Sequence, residues 1–247
     1  MLKNIYYKLS KLASPCIFKK KVFLPENLKI VSFTFDDFPV SAIENGAQIL
    51  EKYNARGTFY WSTGLSGSDE PVGKIAGIED IKILHQKGHE IGCHTYSHLK
   101  CALKSASKIS EDCRANRNKM ASDTGISPEN FAYPFGIHDP ISKKTLSDTY
   151  YSARTIESGI NRGAIDLAIL KSVSLYEQKG WDSHLNWLKR LCESGGWLIF
   201  YTHDVRESPS PYGISVNLFD KTVKECKDRQ IEILTVNEVI MKYGFKK

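Results

Sequence analysis

Long apolar runs are missing from this 247-residue chain. No stretch of about 18 uninterrupted apolar residues occurs, so no membrane-spanning helix is expected. The opening stretch MLKNIYYKLSKLASPCIFKKK also lacks the continuous apolar core of an export signal, which predicts a cytoplasmic protein. The six cysteines (Cys16, Cys93, Cys101, Cys113, Cys192, Cys226) contain no CxxC pair, and without export they read as free, buried thiols. Low-complexity tracts and repeats of solenoid period are absent. Acidic residues are absent from residues 1–21, which hold six lysines: Lys3, Lys8, Lys11, Lys19, Lys20 and Lys21. Taking these from the 34 basic residues leaves 28, against 28 acidic ones, so the whole net charge of +6 sits in that segment. A formally neutral body excludes a broad nucleic-acid-binding face.

The N-terminal segment has a second property. On a helical wheel Leu2, Ile5, Tyr6, Leu9, Leu12 and Cys16 fall on one side and Lys3, Lys8 and Lys11 on the other, with Pro15 ending the helix. Such a basic amphipathic helix either packs its apolar face on its own domain or lies on the anionic inner membrane surface as a peripheral contact of residues 1–21. Residues 1–27 are therefore set apart from a domain over 28–247. In that domain short β-like runs alternate with helical ones: IVSFTF (30–35), GTFYWS (57–62), HEIGCH (89–94), NFAYPFG (130–136), YYSART, AILKSVSL, GWLIFYTH (196–203) and IEILTV. Repeated strand–helix units predict an α/β fold with a parallel sheet, and seven or eight of them favour a β/α barrel. Chemistry in a barrel belongs at the C-terminal strand ends.

One such end is FTFDDFPVS (33–41), where Asp36 and Asp37 stand side by side after a buried-looking strand. Adjacent carboxylates repel and are costly to bury. Either they cap a helix starting near Pro39, or a metal ion or proton transfer requires them. The other strand ends weigh against capping, because His94, His98, the FAYPFG stretch and His203 collect at the same end. The HxxxH spacing of His94 and His98 puts two imidazoles on one face if the stretch is helical. With a carboxylate from another strand end it makes a His₂–carboxylate site with open positions.

TFDD, HTYSH, FAYPFG and the late YTHD, in this order over roughly residues 29–240, resemble the motifs of the polysaccharide deacetylase superfamily, carbohydrate esterase family 4. The resemblance implies a distorted (β/α) barrel and metal-assisted removal of an N- or O-acetyl group from a sugar. It implies Asp37, His94 and His98 as ligands of one divalent ion, Asp36 as general base and His203 as general acid. The backbone N–H of Phe135 would be the oxyanion donor. Zinc suits His₂–Asp, while iron, cobalt and nickel also fit. The third motif departs from the family, since the arginine that orients the base maps to Ala132. Arg154, after another strand at the same barrel end, either replaces it or is merely a surface or salt-bridged residue.

Tyr133, Pro134, Trp181 and the loop SPSPYG (208–213) are candidate walls for a sugar, or else core and rim packing. His85 and His89 read as helix-boundary residues, His184 as partly exposed on a helix, His138 as a loop residue, and Cys93 as core. A cytoplasmic deacetylase would act on an acetylated biosynthetic sugar linked to a nucleotide or a lipid carrier. The alternatives are a hydrolase of a non-sugar amide or ureide, and a catalytically silent barrel that binds a saccharide or a partner. The missing arginine keeps the silent barrel open, and the retained Asp36, metal triad and His203 count against it.

Overall fold

The run KIVSFTFD forms strand β1 (Lys29–Asp36), buried at all but its first residue. In the computed structural model, which describes residues 14–25 and 27–245, this strand is the spine of the fold. Its side chains divide by the two-residue period of a strand. Val31, Phe33 and Phe35 pack outward, where Phe33 and Phe35 meet the Phe219 ring at 5.4 and 5.7 Å. Ile30, Ser32, Thr34 and Asp36 face the other way, and Ser32 accepts a 2.8 Å hydrogen bond from the Trp197 indole.

The remaining barrel strands are β2 (Thr58–Trp61), β3 (Glu90–Cys93), β4 (Asn130–Ala132), β5 (Ser152–Arg154), β6 (Val173–Ser174), β7 (Gly196–Thr202) and β8 (Glu232–Ile233). Every pairing among them is parallel, in the order β6-β7-β1-β2-β3-β4-β5, with β8 on the first half of β1. Leu170 bridges Arg154 of β5, and Val173 then pairs with Phe200 of β7. The short segment 170–174 thus carries the sheet round from one edge to the other. The result is the expected distorted (β/α) barrel.

Parallel neighbours require crossovers, and helices supply most of them. They are α1 (Gln48–Lys52, continuing a π-helical turn Ala42–Ala47), α2 (Ile78–Gln86), α3 (Ala106–Thr124), α4 (Pro140–Ser147), α5 (Gly180–Ser194), α6 (Val216–Asp228) and α7 (Val236–Lys242). Asp139 caps α4 as the Asp–Pro pair predicts, accepting from Ser142 N at 2.8 Å. The capping role considered for Asp36 and Asp37 finds no support. The helical run begins at Val40, so Pro39 rather than either aspartate precedes it, and Asp37 Oδ1 bonds to no backbone N–H.

The helical wheel over Leu2–Leu12 lies outside the described residues. Residues 14–25 join the barrel: Lys21–Phe23 pairs antiparallel with Ala164–Asp166, and Leu24 is core. Two expectations need correction. Cys16 is exposed, whereas Cys93, Cys101, Cys113 and Cys226 are buried and all six thiols are free. His184 is fully buried, because its position on α5 faces Phe200 of β7. Among the described residues no helix is long and apolar enough to cross a membrane.

Candidate active site

A cleft of about 520 Å³ opens at the C-terminal ends of the strands. Asp36 reaches it as the last inward residue of β1, and Asp37 joins it because the chain reverses there. Asp37 has φ of +54°, and Phe38 N–H donates to Asp36 O across it at 2.5 Å. That three-residue turn brings both carboxylates to one cleft, which a continuing strand would forbid.

His94 and His98 also reach it, but not on a helix. The stretch HTYSH is an irregular turn with Thr95 at φ +63° and His98 at φ +51°. Asp112 on α3 holds it: Oδ1 accepts from Tyr96 N at 2.8 Å and Ser97 N at 3.1 Å, and Oδ2 from Ser97 Oγ at 2.8 Å. Thr95 Oγ1 adds a 2.7 Å bond from Leu99 N. The helical geometry expected for HxxxH is replaced by a turn because left-handed backbone at Thr95 and His98 is incompatible with a helix. Asp112 was not legible as a site residue, since nothing local distinguishes it from other acids on α3.

Donor atoms of Asp37, His94 and His98 lie within 4.8 Å of one another. Asp37 Oδ1 stands 3.8 Å from His94 Nε2 and 3.6 Å from His98 Nε2. Bonds of about 2.1 Å in tetrahedral geometry separate ligand atoms by about 3.4 Å, so these donors fit a small divalent ion. Asp37 Oδ1 is buried with no hydrogen-bond partner, as an unfilled ligand atom would be. The Nδ1 of His94 lies 2.8 Å from the Ala132 carbonyl, which can only accept, so Nδ1 carries the proton and Nε2 presents its lone pair. Burial drives His94 down to about 3 despite the Asp36 charge, and burial likewise lowers His98, so both rings are neutral at pH 7. Burial also lifts Asp37 to about 7, with Asp36 and Glu70 adding to the rise and His203 opposing it.

Asp36 differs from its neighbour. Burial works to raise its pKa, but the charge and hydrogen bond of Arg154 outweigh this and hold it below the ordinary carboxylate value. Arg154 is fully buried and donates Nη2–H to Asp36 Oδ1. Its guanidinium also sits 5.3 Å from the Tyr60 ring centre and 5.1 Å from that of Tyr201. Arg154 pairs in register with Ala132 on the neighbouring strand, so a cation stands one strand away from the position where the family motif carries it. Gly92 of β3 leaves room for this packing, because a Cβ there would stand 2.5 Å from the Tyr60 ring.

His203 follows β7 and lines the cleft. Its Nδ1 is 3.2 Å from Tyr212 O, which fixes the proton on Nδ1 and leaves Nε2 open. Phe135, at φ +59°, stands on the rim with its ring 4.5 Å from His98. Of the expected sugar walls, Tyr212 from the SPSPYG loop lines the cleft, and Tyr133, Pro134 and Trp181 do not. Tyr133 is buried with its hydroxyl on Ala168 O at 3.1 Å, and Pro134 is buried beside it. Trp181 lies at the start of α5, 4.0 Å from the Lys221 ammonium of α6. The walls are instead Leu65, Glu70, Pro71, Val72, Ile156, Tyr176 and Tyr201. The 69–74 hairpin that supplies Glu70 carried no pattern beyond a polar loop. Other histidines lie elsewhere: His89 is buried against Gly57 N at 3.1 Å, and His138 against Ser14 Oγ at 3.0 Å.

The fold and this cluster define a β/α-barrel protein with its polar chemistry gathered at the C-terminal strand ends. The polysaccharide deacetylase family model matches residues 25–153, and the chain belongs to that family. A peptidoglycan-N-acetylglucosamine deacetylase of Bacillus cereus is 32% identical over 88% of this chain and 91% of its own length. A chitin deacetylase of Arthroderma benhamiae is 23% identical over 85% of this chain, which spans only 51% of that relative. The chain likewise covers only 17% of a bifunctional xylanase/deacetylase of Pseudobutyrivibrio xylanivorans. A solved family 4 acetyl xylan esterase from Clostridium thermocellum, in complex with a cobalt ion, superposes with a TM-score of 0.62 at 21% identity, covering 87% of this chain and 92% of its own.

Proposed function

We propose that this protein is a metal-dependent carbohydrate deacetylase that removes an acetyl group, chiefly N-acetyl, from a sugar intermediate of glycan biosynthesis. The observation that carries the reading is one cleft holding the Asp37–His94–His98 cluster, the Arg154-bound Asp36 and His203 together. Deacetylase relatives and a cobalt-bound family 4 esterase support it. Zinc is the first choice for His₂–Asp, with iron, cobalt or nickel as substitutes. An ion held by Asp37, His94 and His98 would polarise the acetyl carbonyl and acidify a bound water.

The chain's own residues divide the remaining work. Asp36, kept ionised by Arg154, takes the proton of the attacking water. The backbone N–H of Phe135, on the cleft rim, would donate to the oxyanion. His203, its Nδ1 occupied by Tyr212 O, delivers a proton through Nε2 to the departing amine. Tyr176, Tyr201 and Tyr212 give the sugar flat apolar surface. Among the described residues no lysine or arginine lines the cleft, and Asp36, Asp37 and Glu70 do. That charge balance favours a neutral saccharide in the cleft, with any diphosphate of a lipid carrier outside it, over a nucleotide-linked sugar held within. Arg154 supplies the cation absent at Ala132, which weighs against a silent binder.

The test is acetate release by the metal-loaded protein from N-acetylated oligosaccharides, beside a ureide. Wild type should release acetate, chelation should abolish release with recovery on adding zinc or cobalt, and Asp36→Ala should lose at least about a hundredfold in kcat. Release by Asp36→Ala at the wild-type rate would remove Asp36 from the mechanism. Ureide turnover without acetate release would replace the substrate class.

A further inference from the structure

We propose that the edge formed by Ile17, Phe18, Lys19, Lys21 and Phe23 is a docking face for an anionic lipid surface. Three large apolar side chains are held out to solvent there: Ile17 is 39% exposed, Phe18 49% and Phe23 62%. Exposed lysines Lys19 and Lys21 stand between them. Strand alternation puts Lys21 and Phe23 on one side and turns Val22 inward, where it packs on the core.

The edge is built rather than frayed. Lys143 of α4 is fully buried, and its ammonium donates to Ser14 O at 2.8 Å and Ile17 O at 2.9 Å while pairing with Asp166 Oδ2 at 2.7 Å. Two of its protons are thereby hydrogen-bonded to the backbone of this edge, and its charge is paired with Asp166. Lys20 N adds a 3.0 Å bond to Asp166 Oδ1, and Ser14 Oγ meets His138 Nδ1 at 3.0 Å. Phe18 has φ of +50°, a backbone state that a side-chain-bearing residue keeps only where its surroundings hold it. A buried lysine and a left-handed turn are thus spent on presenting Ile17 and Phe18 outward.

Charge complementarity selects the occupant. Residues 1–21 carry six lysines and no acid, while the rest of the chain is formally neutral. Of the nearby acids, Asp166 is engaged by Lys143 and Asp148 by Lys144 at 2.6 Å. Lysines with interleaved phenylalanine and isoleucine suit a lipid interface, where ammonium groups meet phosphates and apolar side chains enter the acyl boundary. A nucleic acid would use the lysines and leave the three apolar groups idle. The His138 contact ties this edge to the loop that carries Phe135 and Gly136 on the cleft rim. The binding itself does not depend on the chemistry proposed for the cleft.

Full-length protein is to be sedimented with phosphatidylcholine vesicles and with vesicles containing phosphatidylglycerol. Wild type should partition to the anionic vesicles alone, with binding that weakens as salt rises. The Phe18→Ser/Phe23→Ser variant should keep its thermal midpoint and lose on the order of tenfold in partition. Lys19→Glu/Lys21→Glu should lose more than about tenfold. Acetate release from soluble oligosaccharide should be unchanged in both, so a failed deacetylase reading and a failed docking reading give different results. Wild type indifferent to anionic lipid would overturn the proposal. So would a Phe18→Ser/Phe23→Ser variant that still binds vesicles as wild type does, since bare polycation binding would then explain the result.

Discussion

Asp36 and Asp37 are chemically identical neighbours whose surroundings push them apart. Asp37 has no hydrogen-bond partner at Oδ1 and is lifted to about 7, whereas Asp36 is held low by a buried guanidinium. Different partners of this kind, an open ligand atom on one and a guanidinium on the other, are how two neighbouring carboxylates take two roles. Removing Arg154 removes the charge and hydrogen bond that favour ionised Asp36, so burial prevails and its pKa rises. In Arg154→Ala the acid limb of kcat/KM should therefore move to higher pH, with kcat down roughly tenfold to a hundredfold, checked by a pH–rate profile. Arg154→Lys should recover part of the shift, because a point charge replaces the fork but not its geometry. An unmoved limb would mean that Arg154 only packs between Tyr60 and Tyr201. Arg154 was legible as a candidate because it ends a strand. Its partnership with Asp36 was not, since 118 residues separate them and only barrel closure brings them together.

At the scale of elements, the site rests on turns more than on helices or strands. Asp37, Thr95, His98 and Phe135 all have left-handed backbone, at a cost of about 1–3 kcal/mol each, which the surrounding fold must offset. For the HTYSH turn the offset comes from Asp112, whose carboxylate accepts three hydrogen bonds from Tyr96 and Ser97. Asp112→Ala should leave the circular dichroism spectrum intact and weaken metal binding on the order of 10–100-fold in chelator competition, because it loosens the turn that aims His98. Asp112→Asn keeps an acceptor for the two N–H groups and should fall between. Equal metal affinity in all three proteins would show that the turn is held without Asp112. The strand ends were readable from hydrophobic runs, but the HxxxH turn was not, because identical spacing suits a helix until α3 supplies its anchor.

Across the whole molecule, barrel closure buries groups that a sequence cannot place. His184 looks like an ordinary helix residue, yet it is sealed between α5 and β7, where burial lowers its pKa to about 4 while the Tyr176 backbone and Glu177 act in the other direction. The unfolded ring takes a proton below its ordinary value of 6.5 and the folded ring only below about 4. Its neutral burial therefore contributes stability that is complete above pH 6.5 and is lost as pH falls toward 4. By pH 4.5 the loss at this one ring is about 2–3 kcal/mol. Urea titrations at pH 7 and 4.5 should show a smaller drop for His184→Phe than for wild type, by about that amount. Equal drops would place the acid sensitivity elsewhere, with His89, also lowered to about 4 chiefly by burial, as the next group to test.

The sequence by itself determined the parallel barrel, through strand-sized apolar runs alternating with helical ones. It also marked Asp36, Asp37, His94, His98 and His203, because polar residues directly after buried strands must lie at one end of such a barrel. Tertiary structure alone decided which aromatics wall the cleft, how HTYSH bends, and that a guanidinium from β5 answers the empty position at Ala132 on β4. The physical reason is range. Strand and helix periodicity is written in neighbouring residues, whereas these features depend on contacts between segments that meet only once the sheet has curled.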